Sequence, residues 1–457
     1  MPEPEPRSGP ASGAERLLPA TARGRKFVVA VLALALVLRV LVVVVTRHDY
    51  VPLNDAKNFD DIATSLANGH GYGNFPIPPA VGPTSFRAPL YPFALAAVYV
   101  VAGDHAWTAG RLVNAALGTL VVAMIGLLAA LLWSRRVAAV AMVIAAIHPS
   151  LITIGSSLNL EPLLVVVSLG SLCAALQHRR APRGLLWPVV SGVLLGCAVL
   201  TREVGFALIL PIAWLVLTAG EPRTRRFTRS ALAAPVALLL VAGAVVAPWT
   251  IRNAVRFHAF EPVSTSAGFG LAGTFNEVSL HDRGQWIPPY EDPHLAAVMT
   301  SLHEPDEAQL DRVLRTESID FIKDHPAYVP QVAIWGTVRL FDLDGGTYDR
   351  LIAEYVPYPT WLIWMSIFAT YVIVLLAIQG AFTAAVRQVP RAVWAIPLLI
   401  YLEIAFLLPA NVRYRSSLEP FFVLLAAVAV MPIVDRVAVR FGWGQAAAAE
   451  PQATPAP

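Results

Sequence analysis

Charge is scarce in this chain. Only 14% of its 457 residues are charged while 56% are hydrophobic, and the mean hydropathy is +0.60. That balance excludes an ordinary soluble globular domain and places the chain among polytopic membrane proteins. Cysteine is almost absent. Cys173 and Cys197 both lie inside apolar runs, which argues against a disulfide framework or thiolate metal site and leaves them as small packing residues. The formal net charge of +3 is spread in short clusters, with no basic stripe to take a nucleic acid. No Gly-x-x-x-x-Gly-Lys-Ser/Thr loop, no Gly-x-Gly-x-x-Gly after a strand and no His-Glu-x-x-His occurs, and the histidines, among them His70, His148 and His325, show no ligand spacing.

What is present is a series of apolar runs. Residues up to 26 are rich in Pro, Glu, Ser and Ala and are expected to be a disordered cytoplasmic segment. Arg23, Arg25 and Lys26 precede an apolar run over 27–46, long enough at about 20 residues to cross the hydrocarbon core. Further spans are expected at 113–133, 137–153, 162–176, 186–200, 204–219, 231–248, 361–379, 393–409 and 420–432, about ten in all. The stretch Pro89 to Gly103 is too short to cross. Treating it as interfacial puts the clusters Arg135-Arg136, Arg179-Arg180-Arg183, Arg223 to Arg226 and Arg387-Arg391 on one side, as the positive-inside rule prefers. The fold expected is therefore an all-α polytopic bundle, one membrane domain over 27–442, with both termini cytoplasmic and a disordered tail at 443–457.

Two long loops then fall outside, at about 47–112 and 250–359. In the second, Glu304-Pro305-Asp306-Glu307 opens a stretch of helical spacing that Pro326 should end, and Tyr328 to Leu340 reads as another amphipathic helix. Scarce charge gathers beside the expected membrane surface. Asp55 follows the first span, and Glu161 sits where the chain re-enters the bilayer. Arg87, Arg111, Arg202, Arg252 with Asn253, and Arg413 with Arg415 recur at outer boundaries. Each arginine alone could anchor an interface, but together they suit a phosphate, which a guanidinium binds as a fork without losing its charge. Asp55 and Glu161 suit acid–base work or a shared divalent cation, and spacing alone does not choose. Asp60 and Asp61 are expected to face water. Arg39, inside the first span, should snorkel or pair with a helix-end carbonyl. Aromatic residues at the boundary, Tyr72 and Tyr91 among them, fit an interfacial belt or a surface for sugar rings.

The run Asp55-Ala56…Phe59…Ile62-Ala63…Gly69…Gly71-Tyr72, followed by Pro83-Thr84…Arg87-Ala88-Pro89-Leu90-Tyr91-Pro92, resembles the first outer loop of GT-C glycosyltransferases of the protein O-mannosyltransferase and aminoarabinose-transferase type. Leu200-Thr201-Arg202, Pro248-Trp249-Thr250-Ile251-Arg252-Asn253, Asp324-His325-Pro326 and Arg413-Tyr414-Arg415…Leu418-Glu419-Pro420 continue the likeness in order. It implies a GT-C-like bundle with juxtamembrane helices in a bacterial plasma membrane. It also implies transfer of a sugar from a polyprenyl-phosphate carrier to a hydroxyl acceptor (glycan, lipid or protein) on the extracytoplasmic face. Within it Asp55 corresponds to the general base and Glu161 to the second-loop acid. Arg87, Arg202, Arg252, Arg413 and Arg415 become candidates for the donor phosphate, and Tyr72, Tyr91 and Asn253 for the substrate. Where protein O-mannosyltransferases commonly carry Asp-Glu this chain has Asp55-Ala56, and Glu203 stands where a proline is frequent, so the likeness is closer to the bacterial branch whose acceptors vary. A transporter or flippase is the competing class, since about ten spans with membrane-embedded charge would suit it equally. Against it, the halves show no repeat and the polar residues gather at one face rather than mid-membrane.

Overall fold

The computed structural model describes residues 22–73, 83–182, 184–219, 228–345, 358–407 and 412–440. Most of the expected disordered N-terminal segment, the tail and the basic residues 183 and 223–226 lie outside them. Every regular element among the described residues is helical.

The expected spans are all helices. They are α1 (Ala22–Val45), α4 (Trp107–Leu132), α5 (Arg135–Ile147) with α6 (Pro149–Ile154), α7 (Glu161–Arg180), α8 (Leu186–Thr201), and a 3-10 turn (Glu203–Leu208) leading to α9 (Ile209–Leu217). Next come α10 (Arg229–Phe257), α16 (Thr360–Ala381), α18 (Arg391–Leu407) and α20 (Glu419–Arg440). The short α17 (Ala384–Arg387) and α19 (Val412–Arg415) connect the last three. Between α1 and α4 lie α2 (Asp55–Ala67) and α3 (Leu90–Ala102), the helix of the stretch read as interfacial. Between α10 and α16 lie α11 (Ala267–Ala272), α12 (Glu277–His281), α13 (Pro293–Ser301), α14 (Glu307–Asp324) and α15 (Tyr328–Leu340). Asp306 caps α14 by accepting from Gln309 N at 2.7 Å, and Pro326 follows its end, as the sequence suggested.

By length and apolar composition α1, α4, α7, α10, α16 and α20 can each cross a membrane, so this is an integral membrane protein. The other expected spans are shorter or interrupted. Pro149 cannot donate to the ladder and ends α5, while Arg202 adopts an extended backbone (φ −165°, ψ 147°) that separates α8 from the 3-10 turn. Burial ranks the helices by position. In α7 78% of the apolar window is buried and in α4 61%, against 28% in α1, α10 and α16. So α7 and α4 form the centre, and the other three present much of their surface outward, as helices facing lipid do.

Small residues allow close approach where apolar contact alone gives little drive. On α8 a Cβ at Gly192 would stand 2.5 Å from Leu238 O, and one at Gly196 would stand 2.9 Å from Ala242 O, both on α10. Arg39 uses the same device. It is fully buried, donating to Ala35 O at 2.8 Å and Leu151 O at 3.2 Å, with Gly118 and Gly155 against its guanidinium. Of the two expectations for this residue, the carbonyl pairing is the one found.

Gly192→Val must displace backbone rather than a side-chain tip. It is expected to cost about 1–3 kcal/mol, seen as a lower thermal midpoint of the purified protein in detergent, whereas Gly243→Ala, with open space around its Cβ position, should leave the midpoint unchanged.

Candidate active site

Five chain segments converge on one cluster of charge. Asp55 is the first residue of α2, entered through Asn54 in the left-handed region (φ 52°). Glu161 is the first residue of α7, where the helix dipole favours an acid. Arg202 stands at the extended break after α8, Arg87 in the segment before α3, and Arg413 in α19. Asp55 Oδ1 accepts from Arg87 and Asp55 Oδ2 from Arg413. Arg413 Nε reaches Glu161 Oε1 at 3.0 Å, and Arg202 meets the same oxygen at 3.2 Å.

Neighbouring groups fix these side chains. Asn58, one turn along α2 from Asp55, accepts from Arg87 at 2.9 and 3.1 Å. The Arg87 guanidinium lies 4.6 Å over the Phe86 ring, and that of Arg202 lies 4.0 Å over Tyr414. Asn159 accepts from Arg413 at 3.4 Å. Glu161 is 1% exposed and forms the floor; Asp55, Arg87 and Arg413, at 18–21%, form an accessible rim. Burial alone would raise the Asp55 carboxyl, but Arg413 and Arg87 beside it outweigh that and hold it well below the usual carboxylate range.

Other candidates lie elsewhere. Arg252 and Asn253 form a neighbouring clasp. Arg252 donates to Thr84 O at 3.0 Å and Ser85 Oγ at 2.8 Å, while Asn253 donates to Glu261 O at 3.0 Å. Glu307 accepts from Ser85 N and Thr265 Oγ1, each at 2.8 Å. Tyr72 donates to Arg87 O at 2.7 Å, under the guanidinium of Arg252. Tyr91 is buried and accepts from Asn114 at 3.0 Å. Arg415 turns away from its neighbour Arg413 into a buried network, 2.7 Å from Asp342 and 3.3 Å from Glu419. Arg111, also buried, donates to Ser156 O at 2.7 Å.

Asp60 corrects its expectation. It is 2% exposed, accepting from Tyr99 at 2.6 Å and contacting His105 Nδ1 at 2.7 Å, because its face of α2 packs on α3 rather than on water. Asp61 keeps the surface, paired with Lys57 at 2.9 Å. Residues that sequence reasoning missed include Asn58, whose signal was helical spacing from Asp55, and Glu403, the one acid in the run expected to span 393–409.

Residues 89–263 match the family model of dolichyl-phosphate-mannose-protein mannosyltransferase. That stretch contains Glu161 and Arg202 but neither Asp55, Arg87 nor Arg413. The oligosaccharyltransferase AglB of Archaeoglobus fulgidus, in complex with an inhibitory peptide and a dolichol-phosphate, superposes with a TM-score of 0.56 at 13% identity. The alignment covers 95% of this chain and 53% of that one. The chain has the GT-C fold. A further structure of the archaeal enzyme, with Zn and sulfate, gives a TM-score of 0.52 at 14% identity, covering 92% of this chain and 51% of that one. ArnT of Cupriavidus metallidurans bound to undecaprenyl phosphate is 18% identical, with coverage of 90% and 78% and a TM-score of 0.44. The GT-C chain thus spans about half the length of the archaeal oligosaccharyltransferases it matches. No curated protein matches its sequence.

The donor set bears on the expected divalent cation. Among the described residues no group of three or more His, Cys, Asp or Glu is placed to hold a metal. Both Asp55 oxygens and Glu161 Oε1 already face guanidiniums, leaving Glu161 Oε2 without a donor. A divalent cation there would have to displace arginines, so these residues fit an anion better than a metal.

Because the Asp55 pKa is depressed on folding, its pairing stabilises the fold above the ordinary carboxylate pKa of about 4 and ceases to do so as pH falls through the lowered value. Arg413→Ala should therefore lower the thermal midpoint most near pH 6, with the gap to the parent protein narrowing on acidification; a gap that widens toward pH 3 would contradict the pairing.

Proposed function

We propose that this protein is a glycosyltransferase that moves a sugar from a polyprenyl-phosphate carrier to a hydroxyl acceptor, a glycan, lipid or protein, with Asp55 as general base. The observation that carries the reading is the single cluster in which three guanidiniums face two carboxylates, leaving surplus positive charge beside a carboxylate on an accessible rim. A small apolar groove lies close by, where Leu164, one turn along α7 from Glu161, packs with Leu172, Leu208, Ile400 and Phe421. The likeness of 89–263 to a dolichyl-phosphate-mannose-dependent family points the same way.

The chemistry divides between the two charge types. The acceptor oxygen attacks the anomeric carbon while its proton passes to Asp55, and the bond from that carbon to the phosphate oxygen breaks with its electron pair remaining on phosphate. Arg87, Arg202 and Arg413 stabilise the charge that develops there. Glu161 holds Arg202 and Arg413 on a buried anchor. Without a donor, Asp55 is paired with both Arg87 and Arg413. A phosphate that draws these two guanidiniums to itself removes the charges depressing the carboxylate, so donor binding makes Asp55 a stronger base. We read this end of the bundle as extracytoplasmic and both termini as cytoplasmic, a reading that the positive-inside bias of the basic clusters supports.

Asp55→Asn is expected to reduce kcat by about 10²–10⁴-fold while binding polyprenyl phosphate at least as tightly as the parent protein, since the arginines lose a competitor. Turnover of a labelled polyprenyl-phosphate sugar in detergent, where no compartments exist, measures the first and separates an enzyme from a transporter; near-normal turnover in the variant removes Asp55 as base. With the parent protein, kcat/KM should keep its acid limb below the usual carboxylate range, whereas the acid limb of kcat, reporting the donor complex, should lie at higher pH.

A further inference from the structure

Glu403 is a carboxylate inside an apolar helix, and the reaction above gives it no task. Its helix, α18, lines the apolar groove through Ile396 and Ile400. Glu403 follows them at i+7 and i+3, which puts it on the same helix face, about 4.5 Å beyond Ile400 toward the end from which the chain runs on to Arg413. The charged groups acting on it are Arg202 and Glu203. Glu203 is held by Ser264 Oγ, and Arg202 is paired with Glu161. Among the described residues Glu403 forms neither a hydrogen bond nor an ion pair, although it is only partly exposed. An unpaired, partly buried acid on an apolar helix marks a place where something else can supply the donors.

The place of Glu403 limits what that can be. A lipid phosphodiester offers acceptors and no donors to a carboxylate, and the prenyl chain offers none either. The remaining part of the carrier is its sugar, whose hydroxyl groups are hydrogen-bond donors lying next to the phosphate. We propose that Glu403 accepts hydrogen bonds from hydroxyl groups of the donor sugar at the mouth of the groove, and so selects the glycosylated carrier over the bare lipid phosphate. This rests on the reading of the site as one for a lipid-phosphate sugar. The arginines then recognise what both lipids share, and Glu403 recognises what only the donor has.

Binding of undecaprenyl phosphate and of its mannosyl and glucosyl phosphodiesters to the purified full chain in detergent tests the assignment. The parent protein should bind at least one phosphodiester more tightly than the bare phosphate. Glu403→Ala should lose about tenfold or more for that phosphodiester and less than twofold for the bare phosphate, with Glu403→Asp recovering part of the loss. If Glu403→Ala changes both lipids equally in either direction, or changes neither, Glu403 does not read the sugar, and the phosphate site still stands. Equal affinity of the parent protein for the bare phosphate and both phosphodiesters would likewise overturn the sugar assignment. Failure of the parent protein to bind undecaprenyl phosphate at all would instead overturn the phosphate reading, and the Glu403 proposal with it.

Discussion

The two-sided pairing of Asp55 with Arg87 and Arg413 is the constraint on which the rest of this site depends. These residues are far apart in the chain, and Glu161 adds a fourth segment by holding Arg413 and Arg202 on one oxygen. Guanidiniums brought this close in partial burial would repel one another strongly if the acids were absent. The carboxylates therefore make assembly of the arginine cluster possible, and in the proposed reaction Asp55 has the second task of taking the proton of the reacting hydroxyl.

Assembly of that cluster also needs its segments held from behind. The segment carrying Arg87 is fastened through Thr84 and Ser85 to Arg252 and Glu307, and the short helix carrying Arg413 is fastened through Arg415 to Asp342 and Glu419. Both fasteners hold charge that is at least partly buried, so removal of one member leaves an ion poorly compensated. Such networks specify position more than they add stability. Here they set where two guanidiniums stand relative to Asp55. Arg252 and Arg415, arginines of the same boundary pattern as Arg87 and Arg413, thus contribute at one remove.

Much of this was legible in the sequence because a bilayer enforces length and composition. The apolar runs became helices close to their expected positions, and Pro326 marked the end of α14. The resemblance singled out Asp55 and Glu161 with Arg87, Arg202, Arg252, Arg413 and Arg415; the structure brings Asp55, Glu161, Arg87, Arg202 and Arg413 together, while Arg252 and Arg415 turn into adjoining networks. What sequence could not give was the direction of side chains. Arg413 and Arg415 are two residues apart, and only tertiary packing turns one toward Asp55 and the other toward Asp342. Asp60 belongs to the same helix as Asp55 yet is buried by Tyr99 and His105, partners that come from the next helix and the loop after it. Arg202 owes its position to an extended residue between two helical segments, a break that a continuous apolar run does not announce.

The pairing that assembles the site also sets a cost for using it. A carboxylate held well below its usual pKa is a weak base, so an enzyme whose base were permanently locked to two arginines would gain little from it. The arrangement becomes sensible when the arginines have a better partner to go to. The donor phosphodiester brings two charged oxygens of its own, and the rim position of Arg87 and Arg413, in contrast to the buried Glu161, leaves them accessible to it. Arg202 differs, since stacking on Tyr414 and its bond to Glu161 fix it in advance. On the proposed reading one guanidinium is a preformed phosphate contact and two are exchangeable, the exchange links arrival of the donor to activation of the base, and the contacts that hold a donor-free site together also keep it chemically quiet.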